Sequence, residues 1–132
     1  MDFRALAVDA VVPLDGEIVM LERNHPPEDG AWVLPGGMVE ADETAAAACA
    51  RETAEEIGLD VQPVSLIGLY DDPDRDERGN VSAAFLCLPT DDREPRPRAE
   101  ARRVDTFPPT SLPETGFDHA RIVADAMDPR RG

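Results

Sequence analysis

Three glutamates close together near the end of an alanine-rich segment are the residues of this chain best suited to chemistry. Residues 44–57 are predicted to form a helix that ends at Gly58. The last turns of this helix carry Glu52, Glu55 and Glu56, whose carboxylates fall within an arc of about 100° on one face. Each is unfavourable there by roughly 0.3–1 kcal/mol, because a helix C-terminus carries partial negative charge. This placement predicts a positive partner, and clustered carboxylate oxygens suit the hard cations Mg²⁺ and Mn²⁺.

A glycine pair lies a short distance before this helix. Because glycine permits close approach of the backbone, Gly36 and Gly37 could bring carbonyl oxygens to the carboxylates. On the glutamate side the helix carries only Ala45 and Ala48, which leave room for a ligand. The arc predicted to face the core carries Ala46, Cys49, Ala50, Thr53 and Ile57. Taken alone, three glutamates on one face are also typical of a solvated helix surface.

The spacing across the whole segment separates these two interpretations. Gly37, five residues, Glu43, seven residues and then the run 51–59, RETAEEIGL, together resemble the signature of the Nudix hydrolases. Thr53 occupies a position that is hydrophobic in that family. The resemblance implies an α+β fold, an α/β/α sandwich with a mixed β-sheet between helices. It also implies Mg²⁺-dependent hydrolysis of a nucleoside diphosphate linked to another group, with Mn²⁺ as a substitute.

The resemblance implies a role for each matched residue of the metal site. Glu52 and Glu56 would be the principal metal ligands, and Glu55 would bind a further ion or its water. Glu55 and Glu56 would therefore take part in catalysis. A backbone carbonyl from Gly36 or Gly37 would complete the metal shell.

Two further matched residues have an implied role outside the chemistry. Glu43 and Arg51 would pair to hold the glycine loop against the helix.

A pyrophosphate is multiply anionic and repels a hydroxide nucleophile until metal ions neutralise its oxygens. In a chain this acidic, dependence on a divalent ion is expected.

A second resemblance concerns the substrate. Residues 70–80, YDDPDRDERGN, and residues 117–120, FDHA, are similar to segments of the ADP-ribose pyrophosphatase branch of the family. Glu77 and Asn80 depart from the proline and histidine usual there. The resemblance implies cleavage of ADP-ribose into AMP and ribose 5-phosphate. Two alternatives stay open, a nucleoside triphosphate pyrophosphohydrolase that cleans the nucleotide pool and a nucleotide-sensing domain without turnover.

Four residues are candidates for binding the substrate. Arg75 and Arg78 could donate paired hydrogen bonds to phosphate or ribose oxygens, and Arg23 is a comparable candidate. Arg75 and Arg78 could equally be solvated loop residues beside aspartates. Trp32 could lie under a base or pack beneath the glycine loop. His119 is predicted to cap or pack rather than to act as a base.

The general base is expected, from the same resemblance, on the polar segment before the last strand. Glu94 and Glu100 are the glutamates available within residues 91–101, and Glu100 is favoured as the catalytic residue. Arg103 occupies the position where a glutamate is usual near that strand.

The composition of the chain indicates the salt concentration and the kinds of partner to expect. The chain has 132 residues, predicted to form one domain over residues 1–132, and a formal net charge of -15. Its basic residues are all arginine. An acid excess without lysine predicts a halophilic cytoplasm, where concentrated salt screens self-repulsion. The charge argues against nucleic acid and anionic membranes as partners, and leaves a small nucleotide substrate and, as an open alternative, a homodimer.

The remaining sequence predicts the elements that position these residues. Strands are predicted at residues 3–13, 17–22, 31–34, 64–72, 81–89 and 104–107, and a second helix at residues 117–127. The proline- and charge-rich residues 89–103 are predicted to be a surface loop. Cys49 and Cys87 lie in apolar contexts and are predicted to be buried, reduced thiols. The N-terminus lacks the basic and apolar regions of a signal peptide.

Overall fold

The computed structural model describes residues 1–99 and 101–131, and this part of the chain contains eight strands and two α-helices. The strands are β1 (Leu6–Val11), β2 (Pro13–Leu14), β3 (Glu17–Arg23), β4 (Trp32–Val33), β5 (Gly36–Met38), β6 (Val61–Tyr70), β7 (Val81–Pro89) and β8 (Ala101–Phe107). The helices are α1 (Ala45–Ile57) and α2 (His119–Met127), followed by a 3-10 helix (Pro129–Arg131). Within the described residues, no helix is long and apolar enough to cross a membrane.

Two four-stranded sheets form the centre of the fold. The first has the order β5-β1-β7-β6, in which β1 and β7 are parallel and the other two pairs are antiparallel. In the second sheet β3 pairs with β2, β4 and β8, all antiparallel. Residues of α1 and of α2 belong to two separate apolar clusters, each shared with strands. A mixed sheet with two helices confirms the predicted fold class.

Helix α1 begins and ends where its sequence predicts. The Thr44 hydroxyl accepts a hydrogen bond of 3.1 Å from the Ala47 N–H, which satisfies one of the N–H groups that lack a partner within the helix. Gly58 ends the helix in the left-handed conformation, with φ at 70°, which glycine adopts without steric cost. The glutamates therefore occupy the last turns, as expected.

The buried face of α1 differs from the predicted one. Its fully buried residues include Cys49, Thr53 and Ile57, as predicted. Ala46 and Ala50, expected in the core, are only half-buried. Ala48, expected on the open glutamate side, is fully buried, because it packs in an apolar cluster with residues of β1 and β7. Ala48 therefore does not border open space beside the glutamates.

Two segments predicted to be loops belong to sheets instead. The glycine loop continues into β5, which pairs with β1. β8 begins at Ala101, within the charged segment predicted to be a loop, and pairs with β3. Arg103 and Arg102 can lie in this strand because Glu22 on the neighbouring strand accepts their charge, at 2.9 Å and 3.8 Å. Ladder hydrogen bonds and ion pairs with distant residues outweigh the local polar pattern.

The two cysteines are buried, which confirms the prediction of reduced thiols. The sulfur atoms of Cys49 and Cys87 lie 3.6 Å apart without a disulfide. The hydrogen bond with Cys87 and burial both raise the pKa of the Cys49 thiol. The protonated form is thereby favoured, and it is a poor nucleophile.

Candidate functional site

A cavity of about 260 Å³ lies between β1, β5, the end of α1, the loop after β6 and the start of α2. Carboxylates and guanidinium groups line different parts of it. We call the group of Gly36, Gly37, Glu52 and Glu56 the helix wall. The group of Arg23, Arg78 and Phe117 is called the arginine wall. Asp9, Arg75 and His119 also line the cavity and, together with Ser82, form what we call the buried network.

The helix wall depends on the absence of side chains at the two glycines. The Gly36 N–H donates a hydrogen bond of 2.7 Å to Glu56 Oε1. A Cβ added at Gly37 would lie 2.3 Å from Glu52 Cδ, and one at Gly36 would lie 2.1 Å from the Val8 carbonyl oxygen. Gly36 therefore allows β5 to approach the backbone of β1, and Gly37 allows the Glu52 carboxylate to lie this close to the chain.

Arg51 places positive charge beside the glutamates at the end of α1. Its guanidinium contacts both carboxylate oxygens of Glu43, at 2.6 Å and 3.0 Å, and donates to the Met38 carbonyl oxygen at 3.0 Å. The hydrogen bond from Arg51 lowers the pKa of the Glu43 carboxyl. Arg51 also contacts Glu52 at 2.8 Å and Glu55 at 3.2 Å. One guanidinium thus ties the segment after the glycines to the acidic end of the helix.

Glu55 has a different position from its two neighbours. Its side chain is 53% exposed and contacts Arg51 outside the cavity. Glu52 and Glu56 line the cavity with Gly36 and Gly37, whereas Glu55 does not and shares one Arg51 nitrogen with Glu52.

The end of α1 has a second set of partners that the sequence did not reveal. The backbone N–H groups of Arg96 and Arg98 donate to the carbonyl oxygens of Ile57 and Glu56, each at 2.9 Å. The Arg98 guanidinium donates to the Ala54 carbonyl oxygen at 3.3 Å. These contacts satisfy carbonyls that lack partners within the helix and place positive charge at its negative end. The sequence of this charged segment, in which arginines and acidic residues are mixed, does not show which arginines contact the helix.

On the arginine wall, two guanidinium groups lie against one aromatic ring. The guanidinium carbons of Arg23 and Arg78 are 5.5 Å and 5.6 Å from the centre of the Phe117 ring, within the range of cation–π attraction. Arg78 also contacts Asp76 at 2.8 Å, yet its side chain is 44% exposed. Arg23 donates to the Pro27 carbonyl oxygen at 2.7 Å. The wall presents positive charge to a cavity that is otherwise rich in carboxylates.

Arg75 lines the cavity, but its donors are directed to protein groups. Its side chain is 4% exposed and makes paired hydrogen bonds to Asp118, at 2.7 Å and 2.9 Å. It also donates to the Asn80 carbonyl oxygen at 3.2 Å. Burial alone would lower the pKa of Arg75, but the interactions with Asp118, Asp9 and Asp76 together outweigh it and the pKa is raised. The geometry of Arg75 is that of a charged group holding the 70–80 segment against α2.

The buried network was not predicted from the sequence. Asp9 accepts a hydrogen bond of 2.5 Å from the Ser82 hydroxyl and lies 3.2 Å from His119 Nε2 and 3.8 Å from the Arg75 guanidinium. Burial opposes ionisation of Asp9, but interaction with His119, followed by Ser82 and Arg75, outweighs it and lowers the pKa of the carboxyl. From the sequence, Arg75 was expected to bind substrate and His119 to cap or pack, whereas Asp9 and Ser82 were not singled out as site residues.

Trp32 lies among apolar side chains and does not line the cavity. Its ring packs edge-on against Phe107 with the ring centres 5.0 Å apart, and Arg103 lies 5.2 Å from the ring centre. Glu94 lies on a different surface groove, and Glu100 lies outside the described residues. Of the expected substrate-binding residues, the cavity therefore includes the three arginines.

Comparison with known proteins identifies the family of this chain. Residues 3–126 match the family model of the NUDIX domain, and the chain therefore belongs to the Nudix hydrolases. It is 38% identical over 128 residues to an ADP-ribose pyrophosphatase of Methanocaldococcus jannaschii. That match covers 97% of this chain and 76% of the relative.

Solved structures show the same fold. A MutT/nudix family protein from Enterococcus faecalis superposes with a TM-score of 0.85 at 23% identity, covering 96% of this chain and 61% of that one. A bifunctional NMN adenylyltransferase/ADP ribose pyrophosphatase from Francisella tularensis, in complex with AMP and a manganese ion, gives a TM-score of 0.80 at 25% identity. The match covers all of this chain and 43% of that protein, so this chain spans less than half of the bifunctional one.

The donor atoms of the helix wall fit the divalent metal typical of the family. Glu52 and Glu56 supply carboxylate oxygens beside the backbone of Gly36 and Gly37, and Mg²⁺ and Mn²⁺ take oxygen ligands. Among residues 1–99 and 101–131, no three His, Cys, Asp or Glu side chains are already gathered around a common metal position. Glu52 contacts Arg51, and Glu56 accepts the Gly36 N–H. These contacts with Arg51 and with the Gly36 N–H hold the two carboxylates in place.

Proposed function

We propose that this chain hydrolyses ADP-ribose to AMP and ribose 5-phosphate with Mg²⁺, for which Mn²⁺ can substitute. The observation that carries the proposal is the presence, in one cavity, of oxygen donors on the helix wall and guanidinium groups on the arginine wall. A pyrophosphate requires both, because its oxygens bind metal ions and also accept paired hydrogen bonds from arginine. The named activity of the relative from M. jannaschii supports ADP-ribose as the substrate.

In this proposal Glu52 and Glu56 hold the metal, with a backbone oxygen from Gly36 or Gly37. A bound divalent ion neutralises phosphate charge and activates water for attack on phosphorus. Glu55, at the exposed edge of the helix, holds a further ion or its water. Water adds to one phosphorus, the bond to the bridging oxygen breaks, and each product retains one phosphate.

The arginine wall has the complementary task of binding the substrate. Arg78 and Arg23 donate hydrogen bonds to phosphate or ribose oxygens, and their contacts with Phe117 restrict where the guanidinium groups can lie. Arg75 acts indirectly, since its paired bonds to Asp118 fix the loop that carries Arg78. Glu100 remains the predicted general base that takes the proton of the attacking water.

A substrate panel with identification of the products tests this function. The panel contains ADP-ribose and the common nucleoside triphosphates, each with Mg²⁺, with Mn²⁺ and with excess chelator. We expect AMP and ribose 5-phosphate in equal amounts from ADP-ribose, and no turnover in chelator. Glu56→Gln should abolish most of this activity, whereas Glu114→Gln, which removes one exposed charge away from the cavity, should retain it.

Two outcomes of the panel would replace the proposal. Release of pyrophosphate from a nucleoside triphosphate in preference to cleavage of ADP-ribose would indicate a nucleotide-pool enzyme. Inactivity on every compound with both metals would indicate a nucleotide-sensing domain. Full turnover in excess chelator would exclude the metal mechanism itself.

A further inference from the structure

We propose that His119 is a positioning residue, which fixes the backbone at Leu34–Gly36 and through it the metal site of the helix wall. The inference rests on the proposed function, because it assigns the helix wall to a metal ion. His119 belongs to α2, far from the glycines in sequence. Its ring is buried at the point where α2 meets the segment between β4 and β5.

The hydrogen bonds of His119 define which ring nitrogen carries the proton. The Leu34 N–H donates to His119 Nδ1 at 3.0 Å, so Nδ1 must be the acceptor. The ring proton therefore lies on Nε2, which faces Asp9 Oδ1 at 3.2 Å. Nδ1 thus accepts from the backbone before the glycines, and Nε2 donates to the Asp9 carboxylate.

Asp9 is itself held firmly. The Ser82 hydroxyl donates to one of its carboxylate oxygens, and the Arg75 guanidinium lies 3.8 Å from the same oxygen. Asp9 pairs with Gly36 across the β1–β5 ladder, and a Cβ at Gly36 would lie 2.6 Å from Asp9 Oδ1. The carboxylate that orients the histidine thus lies directly against the glycine backbone.

Three consecutive residues of the glycine segment are each held by a different element. The Leu34 N–H donates to His119 of α2, and the Pro35 carbonyl oxygen accepts the Ala10 N–H of β1 at 2.8 Å. The Gly36 N–H donates to Glu56 of α1 at 2.7 Å. Loss of the His119 acceptor would leave a buried N–H without a partner, and the segment would shift to satisfy it. Because Gly36 is two residues further on, the contact with Glu56 would shift with it.

Two substitutions at position 119 separate the functions of the two ring nitrogens. The side-chain oxygen of His119→Asn reaches the place of Nδ1 and can accept from the Leu34 N–H, but nothing replaces Nε2. The side-chain amide of His119→Gln reaches the place of Nε2 and can donate to Asp9, but the Leu34 N–H loses its acceptor. Both variants remove the same buried ring, so each serves as the stability control for the other.

The test measures Mn²⁺ affinity without nucleotide, by titration of the parent and of both variants, each shown by its melting curve to be folded. We expect His119→Gln to bind Mn²⁺ about 10- to 100-fold more weakly than the parent, the range typical for loss of a group that supports a metal ligand. His119→Asn should retain most of the affinity. Hydrolysis of ADP-ribose should fall in the same order.

Three results would overturn this role. If His119→Gln binds Mn²⁺ as tightly as the parent, the Leu34 contact does not matter for the metal site. If both folded variants lose affinity equally, the ring itself is required and the backbone contact is not the reason. A parent that binds no Mn²⁺ would also overturn it. A parent that binds Mn²⁺ and follows the expected order, yet does not cleave ADP-ribose, would refute the proposed substrate while leaving the positioning role intact.

Discussion

The helix wall and the arginine wall each lie beside an arginine–carboxylate ion pair, but they present charges of opposite sign to the cavity. Beside the helix wall, Arg51 is paired with Glu43 at 2.6 Å, and the neighbouring glutamates line the cavity. Beside the arginine wall, Arg75 is paired with Asp118 at 2.7 Å, and the neighbouring Arg78 lines the cavity. In both regions a shielded ion pair fixes a segment, and a nearby residue of defined charge is presented to a ligand.

The difference between the two regions lies in what the presented charge can bind. The helix wall offers oxygen atoms, which suit a cation, whereas the arginine wall offers N–H donors, which suit an anion. Under the proposed function Arg75 and Arg78, three residues apart, have separate tasks: Arg75 fixes the segment through Asp118, and Arg78 binds the substrate.

The largest effect is expected for Glu56→Gln on the helix wall. Activity should fall at least about 100-fold, more than the loss seen when a group that only supports a metal ligand is removed. Without metal, the variant should melt no lower than the parent, because glutamine can still accept the Gly36 N–H and removes a charge that the helix dipole disfavours. Steady-state kinetics and thermal melts at low ionic strength check the two parts.

Added Mg²⁺ provides the control for this variant. It should raise the melting temperature of the parent, since it binds only the folded state, and raise that of Glu56→Gln much less. A sharp fall in the metal-free melting temperature of the variant would show that Glu56 is a structural residue.

Beside the arginine wall, Arg75→Gln and Arg78→Gln should have opposite profiles. Arg75→Gln leaves Asp118 and Asp9 without their shielded cation and should lower the free energy of unfolding by about 3 kcal/mol. Arg78→Gln removes a half-exposed charge and should lower it by about 1 kcal/mol or less. Denaturant unfolding of both variants at one salt concentration gives the comparison. Equal losses of stability would contradict the division between a scaffold arginine and a binding arginine.

The sequence predicted correctly those helices and strands whose ends are marked by their own residues. Helix α1 carries its own caps at Thr44 and Gly58, and β7 is an apolar run that the prediction placed at its observed bounds. The start of β8 was missed because its arginines are compatible with a strand only when Glu22 lies opposite. Propensity within a short window contains no information about that partner.

The same distinction applies to the site. The spacing of the glycines and glutamates was enough to predict that four residues lie together, and all four line the cavity: Gly36, Gly37, Glu52 and Glu56. The contact between Asp9 and His119 could not be predicted in this way, since these residues lie near opposite ends of the chain and no spacing in the sequence relates one to the other. Burial decides their roles, and burial follows from the whole fold.

The charge of the chain leads to a smaller, global prediction. If the acid excess is an adaptation to a saline cytoplasm, the parent should lose at least roughly 1 kcal/mol of stability, or about 4 °C in melting temperature, when molar salt is diluted to about 0.1 M. The reason is that the Debye length increases on dilution, so the acidic side chains repel one another over a longer distance. A melting temperature that is flat or rises on dilution would contradict the halophilic interpretation.

The smallest effect concerns Asp76, the buried partner of Arg78. Burial would raise the pKa of Asp76, but the side-chain and backbone hydrogen bonds from Arg78, with the charges of Arg78 and Arg75, together outweigh it and lower the pKa below the ordinary 3.8. A depressed pKa in the folded state gives stability that is present above about pH 3.8 and is lost as pH falls through the folded value. The stability difference between the parent and Arg78→Gln, about 1 kcal/mol or less near neutral pH, should therefore shrink below that pH. Melting curves of both proteins between neutral and acidic pH check this, and a difference that grows on acidification would be inconsistent with it.

The most direct test of the division between the walls is a Mn²⁺ titration, without nucleotide, of the parent, Glu56→Gln and Arg78→Gln. Glu56→Gln should weaken Mn²⁺ binding at least about 10-fold, because it removes a ligand of the helix wall. Arg78→Gln should bind Mn²⁺ at least as tightly as the parent, since it removes only a positive charge from the cavity. Equal weakening in both variants, or unchanged binding in Glu56→Gln, would contradict the assignment of the metal to the helix wall.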